Sequence, residues 1–94
     1  MGVTKGARKP NDNLNILSSN IRKYGVQRGL SQSDICREIA LICVKMYTAD
    51  IYDIEYNKIT IKDYEVFAFS KVLKVLLAEL YKGTEKEFNL SLFI

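Results

Sequence analysis

The sequence predicts an all-α domain, and three observations carry that prediction. Apolar residues recur at intervals of three and four from Leu14 to Leu80, the period of helices that bury one stripe. Pro10 is the only proline, so little breaks a helix once it has started. Gly29, Asn57 and Gly83 fall between the periodic blocks, and these are residue types that accept the left-handed conformation at helix ends. With 94 residues, 48% of them apolar, the chain is expected to form one domain that buries about 60–70% of its unfolded surface.

Residues 1–13, MGVTKGARKPNDN, form a polar arm with three basic side chains. It reads either as a disordered end or as a basic arm that touches phosphate or enters a minor groove. The first helix is expected from about Leu14 to Arg28. Leu14, Leu17, Ile21 and Tyr24 trace its apolar stripe, and Arg22, Lys23 and Arg28 face water. Gly25 lies inside it and costs about 1 kcal/mol relative to Ala. Gly29 supplies the stop.

The second helix opens at Ser31, with Asp34 three residues on as the acidic half of a capping box. Its inward residues are Ile35, Ile39, Ile42 and Cys43, and it is expected to run past Ala40 into a partly buried connection, Leu41 to Tyr47, whose one charge is Lys45. The third helix runs from about Thr48, a good cap, to Tyr56. Tyr47, Ile51 and Ile54 form its inward stripe, which leaves Thr48, Ala49, Tyr52, Asp53 and Tyr56 outward. A short helix, a connection and a second helix with a small polar outer face is the plan of a helix-turn-helix. A Gln at a helix entrance, here Gln32, can donate to phosphate beside the orphan N–H groups of the first turn.

Lys58 to Lys62 reads as an extended loop. Asp63 caps a fourth helix, from Tyr64 to about Lys74, with Val66, Phe69, Ser70 and Leu73 inward. A short fifth helix, about Leu76 to Lys82, packs Leu77, Leu80 and Tyr81 inward and ends at Gly83. The chain thus divides into the arm (1–13), a helical domain (14–83) and an apolar tail (84–94). In the tail, Phe88, Leu90, Leu92 and Ile94 alternate with Asn89, Ser91 and Phe93, the period of a strand. Such a strand would pair with the same strand of a second copy or lie over the domain as an apolar flap.

Composition excludes several classes. There is no histidine, no Gly-rich phosphate loop and no Ser or Cys beside a base, so the chain is not expected to be an enzyme or to carry a cofactor or metal. No run of about 18 apolar residues exists, so no membrane span is expected, and no apolar leader opens the chain. Cys36 and Cys43 lie seven apart on one expected helix, about 10 Å along its axis, too far to bridge; they suit a reducing cytoplasm. The net charge of +3 comes from residues 1–30, which carry +5, while residues 31–60 carry −2.

Three stretches resemble the phage lambda repressor and Cro-like class, the XRE-type helix-turn-helix domain. They are IRKYGVQRGLSQSDI, DIYDIEYNK and IKDYEVFAFSKVLKVLLAEL. The last is the most specific, with Asp63, Tyr64, Glu65, Ala68, Lys71, Leu73, Val75, Glu79 and Leu80 in register. The connection between helices 2 and 3 is similar to that of a subgroup in which it is extended. The resemblance covers about residues 16–82. It implies a five-helix lambda-repressor-like bundle that binds double-stranded DNA, usually as a homodimer on a palindrome. It maps phosphate contacts onto Gln32, Tyr56, Lys58 and Thr60, and base-reading positions onto Thr48, Ala49, Tyr52 and Asp53. The family's helix-1 Arg, partner of the Glu that ends helix 3, falls at Gly25. If Glu55 is buried it therefore needs another partner, a Tyr hydroxyl or Arg22. The family's Gly or Asn after helix 4 is Lys74, and its cap for helix 5 is Leu76.

Two functional expectations follow. One is a sequence-specific transcriptional regulator, with helices 2 and 3 in the major groove and Lys45, Lys58, Arg22, Lys23 and the arm on the backbone. The other is the same scaffold used as a protein-interaction module, favoured by the acidic third helix, which sits badly against the charge of DNA, and by its exposed tyrosines.

Overall fold

A computed structural model describes residues 13–87. Residues 1–12 of the basic arm and the alternating segment 88–94 lie outside the described residues. Within them the fold is all-helical: α1 (Ser18–Gln27), α2 (Gln32–Leu41), α3 (Thr48–Glu55), α4 (Asp63–Leu73), α5 (Leu77–Tyr81), then a 3₁₀ turn (Thr84–Glu87). α1 packs on α3, α4 and α5, and α2 on α3 and α4. No helix among the described residues is long and apolar enough to cross a membrane.

The core forms where the stripes converge. Leu17 and Ile21 from the start of α1, Ile35 and Ile39 from α2, Ile51 and Ile54 from α3, Phe69 and Leu73 from α4, and Leu80 from α5 are all sealed from solvent. Full burial of each such side chain contributes about 1.5–3 kcal/mol.

α1 starts at Ser18 rather than Leu14, because polar side chains take the backbone groups that a longer helix would use. Asn15 Oδ1 accepts the Leu17 N–H (3.0 Å), and Asn15 Nδ2 donates to the Ile54 and Ile59 carbonyls, both at 3.1 Å. Asn57 Oδ1 accepts the N–H groups of Leu14 (2.7 Å) and Asn15 (3.1 Å). Asn57 also stands at φ 62°, the left-handed stop expected of it, and its Nδ2 donates to Asn13 Oδ1.

The capping box at α2 forms as expected. Ser31 Oγ accepts the Asp34 N–H (3.0 Å) and Asp34 Oδ2 accepts the Ser31 N–H (2.9 Å). That backbone donor, then Arg37 at 2.8 Å and the Ser31 hydroxyl, lower the Asp34 pKa from 3.8 to about 2. The starts of α3 and α4 differ from expectation: the residues that precede them are Tyr47 and Lys62 rather than Thr48 and Asp63, while α5 is preceded by Leu76, the position onto which the cap was mapped. None of these offers a short side-chain oxygen, so the carboxylate three residues on supplies the contact. Asp50, Glu65 and Glu79 accept the N–H groups of Tyr47, Lys62 and Leu76 respectively, each at 2.9 Å.

The connection between α2 and α3 corrects the sequence reading most. Ile42 and Cys43, expected inward, are exposed, and so is Tyr47. α2 stops at Leu41, and Cys43 at φ 65° turns the chain back. The core places go instead to Met46, which is buried, and Val44, which is half-buried. Cys36 Sγ donates to the Met46 carbonyl at 3.1 Å, which anchors the returning chain to α2.

At the other end, α4 closes on Lys74 at φ 58°. Arg28 Nε donates to the Leu73 carbonyl (2.7 Å), one of the groups that a helix C-terminus leaves over, and Ser70 Oγ donates to the Val75 carbonyl (2.7 Å) just past the helix. Leu77 and Tyr81, expected inward on α5, are about half exposed. α5 is a single turn, and its one sealed position is Leu80.

Candidate functional site

α3 presents Thr48, Ala49, Tyr52 and Tyr56 to solvent, as its spacing predicted, while Ile51 and Ile54 anchor the opposite face. Asp53 is half-buried at the edge of the outward face. Lys45 and Thr60 are exposed on the segments before and after the helix.

Two of these side chains, Tyr52 and Tyr56, form one continuous ladder with Arg22 and Lys58. Tyr52 and Tyr56 are one helical turn apart, and their rings stack with centroids 4.6 Å apart and planes tilted by 32°. The Arg22 guanidinium lies over the Tyr56 ring at 5.0 Å, and the Lys58 ammonium lies 5.6 Å from the centre of the Tyr52 ring. Each such cation–ring contact contributes roughly 0.5–1 kcal/mol at an exposed site. More to the point, the two cations are held against the α3 surface rather than left to wander. Arg22 is further fixed by donating through Nη1 to the Glu55 backbone carbonyl at the end of α3.

The carboxylates of this region are less available than the sequence alone implies. Asp50 is committed to capping, since it accepts the Tyr47 N–H. Glu55 is buried, and its Oε1 accepts from Gln32 Nε2 at 3.0 Å. The partner of Glu55 is therefore Gln32, and neither a Tyr hydroxyl nor the Arg22 guanidinium reaches that carboxylate. This also alters the place of Gln32. One of its amide donors is spent inside the fold, so its side chain is oriented across the α2–α3 junction instead of projecting into water. The second carboxylate oxygen faces Gly25: a Cβ built there would lie 3.9 Å from Glu55 Oε2.

The structure thus gathers Gln32, Tyr52, Tyr56 and Lys58 with Arg22 at the α1–α3 end of the domain. Thr48, Ala49 and Lys45 sit at the other end of α3, toward the connection. Sequence reasoning missed the ladder itself, although the i, i+4 spacing of Tyr52 and Tyr56 was its signal. It also missed the Asn15–Asn57 clamp, which joins residues about forty apart in sequence and leaves no periodic trace. Among the described residues no group of three or more acidic or cysteine side chains is placed to hold a metal ion. No family model matches the chain, and neither a curated protein nor a solved structure does.

Proposed function

We propose that this chain is a lambda-repressor-like, XRE-type helix-turn-helix protein that binds double-stranded DNA in a sequence-specific manner, as a homodimer, and regulates transcription. α2 and α3 are the unit that enters the major groove. The observation that carries this reading is the disposition of charge on α3. Two of its three carboxylates are engaged by the fold, Asp50 in a cap and Glu55 in the core, which leaves Asp53 at the edge of the outward face, while Arg22 and Lys58 are braced beside it by the tyrosine pair. DNA affinity comes mainly from cations set near phosphate, and that arrangement favours it. In this reading Thr48 and Ala49 contact thymine methyl groups and Asp53 accepts from a cytosine N4. Tyr56, Lys58 and Thr60 meet phosphate, Tyr52 lies between the two sets, and Lys45 contacts the neighbouring backbone. Gln32 orients α2 through Glu55 and offers its remaining amide N–H to phosphate.

Selection from random duplexes, followed by fluorescence anisotropy at several salt concentrations, tests this. A motif should emerge. Lys58→Ala should flatten the slope of log K against log salt by about 0.9, one released ion. A palindromic motif and a sedimenting dimer on it go with the homodimer. Binding that stays near 10⁻⁴–10⁻⁶ M with no motif is the non-specific range and overturns the proposal.

One observation favours a second reading, in which the scaffold serves as a protein-interaction module. The end of α2 and the connection after it expose Leu41 (72%), Ile42 (42%) and Tyr47 (65%), apolar and aromatic side chains of the kind enriched at protein interfaces. Binding of such a partner would show little dependence on salt, which separates the two readings.

A further inference from the structure

α4 and α5 leave a row of large apolar side chains in water. Tyr64, Phe67, Leu77 and Tyr81 line a groove of about 500 Å³. Phe67 and Leu77 also line a second groove, of about 460 Å³, that continues to Leu76. Phe67 is 53% exposed and Leu76 71% exposed. A contiguous apolar strip of this kind on a small domain marks a place where something docks.

The chain itself supplies a fitting occupant. Tyr81, one wall of the groove, is six residues before Glu87, and the intervening turn is pinned to α5 because Thr84 Oγ1 donates to the Tyr81 carbonyl at 2.7 Å. The next seven residues, Phe88 to Ile94, contain five apolar side chains and no charge. Extended, they reach at most about 23–25 Å, whereas α4 from Tyr64 to Lys74 rises only about 15 Å, so they are long enough to run the length of both grooves. We propose that residues 88–94 dock in the α4–α5 groove of their own chain, with Phe88, Leu90, Leu92 and Ile94 toward it and the alternate residues, Asn89, Ser91 and Phe93, away from it. Attachment a few residues away gives the segment an effective concentration on the order of millimolar at the groove. A second copy would have to compete with that at ordinary protein concentrations. The inference stands apart from the DNA reading, and its test has no DNA in it.

The chain has no tryptophan, so Leu92→Trp introduces a unique fluorophore in the full-length protein. Its emission should lie to the blue of the urea-unfolded position and stay there on hundredfold dilution. Adding Phe67→Asp should return the emission to the unfolded position while helical circular dichroism is kept. Leu76→Asp serves as a second groove variant that keeps the fold, because Leu76 precedes α5 at a position where Asp is favoured, and it should move the emission the same way. Three results would overturn the proposal: emission at the unfolded position without any groove substitution, a blue shift lost on dilution of a dimer, or a blue shift indifferent to both groove variants.

Discussion

Replacing Gly25 by alanine should make this protein more stable, although the residue is buried between three helices. Gly25 sits inside α1 with an ordinary helical backbone; it is not among the positions with positive φ. Its glycine character is therefore not demanded by conformation. A Cβ built there lies 3.5 Å from Ile35 Cδ1 and 3.9 Å from both Glu55 Oε2 and the Leu30 carbonyl oxygen, all ordinary van der Waals contacts. Helix propensity favours Ala by about 0.8–1.0 kcal/mol, and a methyl beside the Glu55 carboxylate takes back a part of that. The expected net gain is about 0.5–1 kcal/mol, which for a domain of this size raises Tm by roughly 3–6 °C. Thermal unfolding followed by circular dichroism, with urea titration to check that m is unchanged, measures it. Gly25→Leu is the counterpart. Its extra carbons enter the Ile35–Glu55 junction and should cost about 1–3 kcal/mol. A lower Tm for Gly25→Ala would mean that the α1–α2–α3 junction is tighter than described. A harmless Gly25→Leu would mean that it is open. Either result refutes the packing given above.

Four further outcomes are expected. Gln32→Ala strips a buried carboxylate of its donor and should destabilise by about 1.5–3 kcal/mol in urea unfolding; the loss should shrink when Glu55 is replaced by Gln. Asp34 should titrate near pH 2 by carboxyl NMR. Its pKa is lowered from 3.8, so the stabilisation it gives is complete above that value and disappears as pH falls through about 2; Arg37→Ala should raise the midpoint only in part, because the Ser31 N–H is the larger cause. Asn57→Gly keeps the left-handed backbone but loses the clamp, whereas Asn57→Ala loses both, so the alanine variant should be the less stable by about 1–2 kcal/mol. Ile39→Ala should cost about 2–5 kcal/mol, and Leu41→Ala, two residues on but exposed, should change stability by no more than about 0.5 kcal/mol.

What the sequence disclosed was periodic, and what it hid was not. Ile35 and Ile39, Ile51 and Ile54, and Phe69 and Leu73 announced their buried faces by spacing, and Ser31 with Asp34 announced a cap. Lys74 in a left-handed stop and Leu76 in solvent were legible as departures from a family pattern. Ile42, Cys43 and Tyr47 were misplaced because they continue the apolar spacing of their neighbours; only the turn at Cys43 takes them out of the stripe, and a non-glycine residue at positive φ gives no warning of itself. Glu55 was rightly expected to need a partner once buried, but that partner, Gln32, lies on another helix, and no local rule pairs them. The outward set of α3 followed from its period alone, while the Arg22 and Lys58 braces depend on how α1 and the following loop come back to it.

The Asn15–Asn57 clamp fixes more than the start of α1. It joins the entry of α1 to the exit of α3: Asn13 is hydrogen-bonded to Asn57, two residues from the end of α3 and next to the Tyr56 and Lys58 rungs of the ladder. The last turn of α3 and the chain that leads into α1 are therefore one mechanical unit, tied by two asparagines about forty residues apart in sequence. A substitution that loosens either asparagine shifts the footing of the tyrosine ladder without touching one of its rungs.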